Sequence, residues 1–137
     1  MVKNPYEQYK SNSVQTLSPQ RIVLLLYDTI IKNINFAVKA IENKDFISSN
    51  EKIQKAQDII MELMMALDKE KGGEIAVNLA ALYDYWYRRL VEANVKKDAE
   101  ILSEVVSMVR ELRNSWEIAM TKEMNKMAKK LDVKTAK

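Results

Sequence analysis

The chain has 137 residues and a formal net charge of +3, and it contains neither cysteine nor histidine. This length fits one domain, and 47% hydrophobic with 30% charged residues is typical of a folded chain. The composition excludes thiol chemistry, a histidine general base and Cys/His zinc sites. Only two glycines and two prolines favour helices over a sheet with many turns.

The first 17 residues lack helical periodicity and contain Tyr6 and Tyr9. We expect residues 1–17 to be extended or only locally helical. The two tyrosines either dock on the domain or form a movable cap over a binding surface. No apolar stretch resembles a signal peptide or approaches the roughly 20 residues of a membrane span, so a cytoplasmic location is expected.

A first helix is predicted over residues 18–43. Ser18 is a suitable N-cap, and Pro19 fits the first helical position because its missing N–H is not needed there. Residues 22–27 are apolar without interruption, which is more than the single stripe that one core contact needs. Either this helix is packed on nearly all sides, or part of its surface binds a partner.

Two further helices are predicted on either side of the adjacent pair Gly72 and Gly73. The second runs over residues 46–69 after Asp45 as N-cap, and the third over residues 74–94. We expect the glycine pair to end the second helix, because a C-terminal cap favours glycine. Beside its main stripe, the second helix carries a further apolar set: Ile59, Met61, Met64 and Met65.

A fourth helix is predicted from Asp98, and its apolar stripe continues weakly through Met120, Met124, Met127 and Leu131. Residues 122–137 hold six lysines against Glu123 and Asp132, a net charge of +4, so the rest of the chain is at −1. This basic tail is either a helix extension or a frayed end. It is either a solvated terminus or an arm that binds nucleic acid or a membrane surface.

Four helices joined by short connections predict an all-α fold, an antiparallel up-down-up-down four-helix bundle. The bundle is expected over residues 18–121, between the N-terminal cap segment and the basic tail. The tripeptide Leu-Tyr-Asp occurs at residues 26–28 and 82–84, which is consistent with a duplicated helical hairpin or with chance.

Chemistry for catalysis is sparse in this sequence. The remaining candidates for an all-carboxylate metal site are Asp28, Asp84, Glu92 and Glu104. Each lies beside a core stripe rather than at its centre, so we expect it to pair with Lys or Arg at the rim. We therefore predict no catalytic residue, no metal and no cofactor.

The feature that remains is apolar helix surface beyond what one bundle stripe needs. Large apolar patches are uncommon on monomeric proteins unless they bind something, and methionine suits surfaces that repack around varied partners. The pattern alone leaves a binding groove, a wide core and a homodimer interface open. A groove would bind an amphipathic helix through its apolar face.

Several segments, in their order and spacing, resemble the FliS family of flagellar export chaperones. They are Asn4-Pro5-Tyr6, Tyr9, Ser13-Val14, Ser18-Pro19, Val23-Leu24-Leu25-Leu26-Tyr27-Asp28, Gly72-Gly73-Glu74-Ile75-Ala76-Val77-Asn78-Leu79, Leu82-Tyr83-Asp84-Tyr85, Leu90, Ala93-Asn94, Leu112-Arg113 and Trp116. The resemblance covers about residues 4–118. Pro5 stands where the family pattern favours a small residue such as alanine, and the basic tail matches no motif.

The resemblance implies a cytoplasmic four-helix-bundle chaperone that is not an enzyme. Such a protein binds the disordered C-terminal segment of flagellin, prevents its premature polymerisation and delivers it to the flagellar export gate. It further implies a monomer that binds one client, with no nucleic acid and no membrane insertion. A homodimerising helical module and a nucleic-acid or membrane binder acting through the basic tail stay open as alternatives.

On this resemblance, we expect the flagellin groove to draw on the second and third helices. The predicted groove residues are Ile53, Ala56, Ile60, Met64, Asn78, Leu82, Tyr83, Trp86, Tyr87 and Asn94. Asn78 and Asn94 are expected to hydrogen-bond the incoming backbone. Tyr6 and Tyr9 form the expected N-terminal cap, which moves when flagellin binds. Periodicity does not say which stripe of each helix faces inward.

Overall fold

The computed structural model describes residues 18–135, with side chains described as far as residue 131. The four helices are α1 (Pro19–Glu42), α2 (Phe46–Ala66), α3 (Lys69–Lys96) and α4 (Ala99–Thr135). Helices α1 and α3 each pack against both α2 and α4. Because the connections are short, consecutive helices run antiparallel. The all-α four-helix bundle is confirmed, and the expected cap residues Tyr6 and Tyr9 lie outside the described residues.

Side-chain caps explain where the helices begin. The Ser18 hydroxyl accepts a hydrogen bond from the Arg21 N–H at 3.2 Å, and Asp98 accepts from the N–H groups of Glu100 and Ile101 at 2.9 and 3.3 Å. The Asp45 carboxylate accepts from the Ser48 N–H, and hydrogen bonding by the side chain and the backbone of Ser48 lowers the pKa of Asp45. Each cap satisfies backbone donors that have no partner inside the helix, so the predicted caps are confirmed.

The boundary between α2 and α3 differs from the prediction. Helix α2 ends at Ala66, Leu67 is extended, and Asp68 caps α3 by accepting from two backbone N–H groups at 3.1 Å. Gly73 has φ 54° and ψ −132°, which an L residue adopts only with strain. The glycine pair therefore kinks α3 after its first turn instead of ending α2.

A cluster of aromatic rings occupies the middle of the core. Tyr27, Tyr83 and Trp86 are each at most 2% exposed, and Trp116 packs edge-on against Tyr27. The hydroxyls of Tyr27 and Tyr83 are 2.6 Å apart, a hydrogen bond that crosses the bundle diagonal from α1 to α3. Burial raises the pKa of both phenols, which favours the protonated form that tyrosine already has at neutral pH. The two Leu-Tyr-Asp repeats thus meet through their tyrosines.

The four carboxylates that we expect at the rim of the bundle each pair with an arginine, as predicted. Asp28 pairs with Arg113 of α4 at 2.8 Å, and Asp84 pairs with Arg88 at 2.9 Å. Glu104 and Glu92 both bind Arg89, at 2.7 and 2.6 Å. The Arg89 hydrogen bond is the main reason that the pKa of Glu104 is lowered.

The ion pairs are distributed unevenly around the bundle. Arg89–Glu104 joins α3 to α4, and Arg113–Asp28 joins α4 to α1. Among the described residues, no ion pair joins α2 to α3. Within the described part of the chain, α2 and α3 are thus in contact without an ion pair between them.

Candidate functional site

Half of the predicted groove residues lie inside the core. Their side chains are between 0 and 2% exposed: Ile53, Ala56, Ile60, Tyr83 and Trp86. These five belong to one hydrophobic cluster together with side chains of α1 and α4. The expectation that they line a surface groove is therefore corrected: in the closed bundle they have no surface to offer a partner. Their stripe holds the helices together.

The other five predicted residues lie on two different flanks of α3 or on α2. The Asn94 side chain donates a hydrogen bond to Asn50 of α2 at 2.7 Å, so this flank of α3 faces α2. Tyr87, seven residues before Asn94, lies on the same flank and is half-buried. Met64 of α2 is half-buried as well and packs against the core cluster.

Asn78 and Leu82 lie on the opposite flank of α3. Tyr85, seven residues after Asn78, donates a hydrogen bond to Glu104 of α4 at 3.2 Å. Arg89, seven residues after Leu82, binds the same carboxylate. Because residues seven apart share a helix face, Asn78 and Leu82 face α4, and the structure does not bring them together with Tyr87 and Asn94.

Exposed apolar side chains line the outer surface between α2 and α3, which we call the α2/α3 groove. On α2 they are Ile47, Met61 and Met65, and on α3 they are Val77, Val91 and Val95, with exposed fractions from 41 to 80%. Val91 lies three residues before Asn94 and so shares the flank that faces α2. Residues 47–65 of α2 span roughly 27 Å at the 1.5 Å rise per residue of an α-helix.

Only part of this groove is evident from the sequence. Met61 and Met65 stand out there as surplus apolar residues, whereas Ile47, Val91 and Val95 do not. The signal for the valines was present: Tyr87, Val91 and Val95 are spaced by four on a flank distinct from the Trp86–Leu90 core stripe.

Amide groups mark the end of the groove near the loops. Asn94 donates to the Asn50 Oδ1, and the Lys97 ammonium donates to the Asn94 Oδ1 at 2.6 Å. The Lys97 ammonium also lies 6.0 Å from the centre of the Phe46 ring. This end therefore combines apolar surface with hydrogen-bonding groups, and such polar groups fix orientation in binding sites that are otherwise apolar.

An apolar hollow of about 380 Å³ lies where α2 ends, at the other end of the groove. Its walls include Leu63 of α2, Leu67 directly after α2, Ile75 and Leu79 of α3, Val23 of α1 and Trp116 of α4. Ile75 is 71% exposed there. Val23 is five residues from Ser18, so the hollow lies beside the point where residues 1–17 join the bundle.

The described residues contain no group of three or more Asp, Glu, His or Cys side chains arranged to hold a metal ion. No helix within residues 18–135 has both the length and the apolar character to cross a membrane. The geometry instead defines a helical bundle with an apolar groove, the kind of surface that binds an amphipathic segment of another protein.

Comparison with known proteins identifies the family. The model of the family "Flagellar protein FliS" matches residues 2–123. The chain belongs to the FliS family, as the sequence motifs indicated. The members of this family are flagellar secretion chaperones rather than enzymes.

Curated relatives cover most of this chain. The flagellar secretion chaperone FliS of Bacillus subtilis is 43% identical over 122 residues, covering 89% of this chain and 90% of the relative. The Salmonella typhimurium FliS is 37% identical over 106 residues, covering 77% and 78%. A crystal structure described as a bacterial flagellar chaperone superposes with a TM-score of 0.73 over 85% of this chain and 95% of its own, at 17% identity, and supports the fold alone.

Proposed function

We propose that this chaperone binds the disordered C-terminal segment of flagellin in the α2/α3 groove, prevents its premature polymerisation and delivers it to the flagellar export gate. The observation that carries the proposal is the row of exposed apolar side chains along both walls of the groove. The core cluster of the bundle is made of other residues, so the row is available for a client.

The mechanism follows from the amphipathic character that the resemblance implies for the client. A disordered segment that folds on binding places its apolar face in the groove and hides it from other flagellin copies. Coupled folding of this kind buries on the order of 1,000–3,000 Å² and loses about 2–5 kcal/mol to ordering. This loss moderates the affinity, which keeps the complex releasable at the export gate.

The proposed contact residues follow the exposed surface. Within the α2/α3 groove, Met64, Tyr87 and Asn94 are retained from the sequence prediction, and Ile47, Met61, Met65, Val77, Val91 and Val95 are added. Asn78 and Leu82, on the flank facing α4, contact the client where the segment crosses over α3. The chaperone acts in the cytoplasm before export, with one chain for each flagellin.

Titration of the last ~40–50 residues of a flagellin into the full chain tests this function; such a segment is roughly 60–75 Å long if fully helical. We expect saturable binding with one segment for each chain. The same titration with residues 122–137 deleted separates the proposal from a tail-driven binder of nucleic acid or membranes. Binding retained after the deletion supports the groove, and binding lost with the tail contradicts it.

We further propose that Tyr6 and Tyr9 cover the hollow beside α1 in the free protein and move away when flagellin binds. The support is the position of the hollow, five residues from Ser18 at Val23, and its apolar walls. Removing a competing cap strengthens client binding because less of the binding energy is lost to displacement.

The double variant Tyr6→Ala with Tyr9→Ala tests the cap. We expect tighter binding of the flagellin segment and faster proteolysis of residues 1–17 in the free protein. Phe36→Ala, which removes an exposed aromatic side chain of α1, serves as the control. Unchanged affinity together with unchanged proteolysis in the double variant would exclude the cap.

A further inference from the structure

Helix α4 extends well beyond the part of the chain that matches the family. The match ends at residue 123, whereas α4 continues to Thr135. Every described side chain from Thr121 to Leu131 is exposed. The stretch continues a helix of 37 residues whose first part packs in the bundle, but most helical stability in proteins comes from packing of an apolar face. A partner along this stretch would therefore stabilise it.

The exposed stretch has an apolar seam with charged flanks. Met124 and Met127 are 50% and 61% exposed, and their spacing of three places them on one face. Glu123 directly precedes Met124, and Lys130 follows Glu123 by seven residues, which is one heptad. Both charges therefore border the seam on the same side. Three further lysines of the stretch with described side chains, Lys122, Lys126 and Lys129, lie on the face away from it.

We propose that two copies of this chain associate through an antiparallel pairing of these α4 extensions. In that pairing Met124 packs against Met127 of the partner subunit, and two-fold symmetry repeats the contact. The same register places Glu123 opposite Lys130 of the partner subunit, which gives two ion pairs beside the seam. The lysines of the outer face stay in solvent.

The charge pattern favours a second copy of this chain as the partner, and it favours the antiparallel over the parallel orientation of the two helices. A parallel pair would place Glu123 beside Ala128 of the partner subunit, with no ion pair. The antiparallel pair alone matches each flanking charge with its opposite. Because the seam is short, its buried area falls below that of a stable dimer, so the association is weak and depends on concentration.

Sedimentation equilibrium from about 10 µM to about 1 mM, a range that brackets weak self-association, tests the proposal. We expect the average mass to rise above the 15.9 kDa of the monomer. Lys130→Glu replaces both ion pairs by like charges and is expected to weaken association about tenfold. The matched control Lys126→Glu makes the same charge change on the outer face and is expected not to weaken it.

The most direct test restores opposite charges at positions 123 and 130. Glu123→Lys and Lys130→Glu combined in one chain, or the two single variants mixed, are expected to restore association to the wild-type level. A wild-type mass that stays at 15.9 kDa overturns the proposal. Equal weakening by Lys126→Glu and Lys130→Glu also overturns it. Flagellin is absent throughout, so the outcome is independent of the proposed function.

Discussion

Substituting lysine for both Met61 and Val91 is expected to weaken binding of the flagellin C-terminal segment about 100-fold. The two side chains lie on opposite walls of the α2/α3 groove and are 41% and 44% exposed in the free protein. In the complex, each lysine would lose apolar contact and bring an unpaired charge against the apolar face of the client. Because neither residue belongs to the core cluster, bundle stability should change little.

The control for this pair is Ile118→Lys. Ile118 is an exposed apolar residue of α4, 58% accessible, and it lies away from the groove. We expect the control to bind the segment as the wild type does in the same titration, with similar thermal melting for all three proteins. Equal binding by the groove variant and the wild type would mean that the flagellin segment does not bind in the α2/α3 groove.

Removing one hydroxyl of the Tyr27–Tyr83 pair is expected to destabilise the bundle by about 1–3 kcal/mol. Either Tyr27→Phe or Tyr83→Phe leaves the other phenol buried in the core without the partner now 2.6 Å away. The loss arises mainly from desolvation of this orphaned group rather than from the bond itself. Urea unfolding of each variant measures it as a shift in the midpoint at unchanged slope.

The double variant distinguishes this explanation from simple loss of packing. With both hydroxyls removed, no buried donor is orphaned, so we expect the double variant to be less destabilised than the sum of the two single variants. Additive losses would mean that the two hydroxyls do not depend on each other, contrary to the geometry.

The architecture was largely predictable because its signals are local. Ser18-Pro19 and Asp98 fix helix starts through hydrogen bonds to backbone groups two or three residues away, and the sequence contains that information directly. The end of α2 was not predicted because Gly72-Gly73 is a strong signal for a helix end. Asp68 carries a competing signal, and the two hydrogen bonds that it accepts allow α3 to begin at Lys69, four residues before Gly73.

The candidate site was less predictable because several apolar stripes on one helix look alike in sequence. On α3, Tyr83 and Trp86 differ from Tyr87 and Val91 only in direction, and direction depends on where α1 and α4 lie. The Asn50–Asn94 bond orients the flank towards α2, and it joins residues 44 positions apart in the chain. No local pattern contains that contact, so the prediction mixed core residues with groove residues.

The heat-capacity change of flagellin binding tests the central claim most directly, because this quantity reports apolar surface removed from water. The titration with the last ~40–50 residues of a flagellin, roughly 60–75 Å of helix, is repeated at several temperatures. We expect a large negative heat-capacity change that shrinks in the variant with lysine at positions 61 and 91. Binding with a heat-capacity change near zero, or no binding, would contradict it.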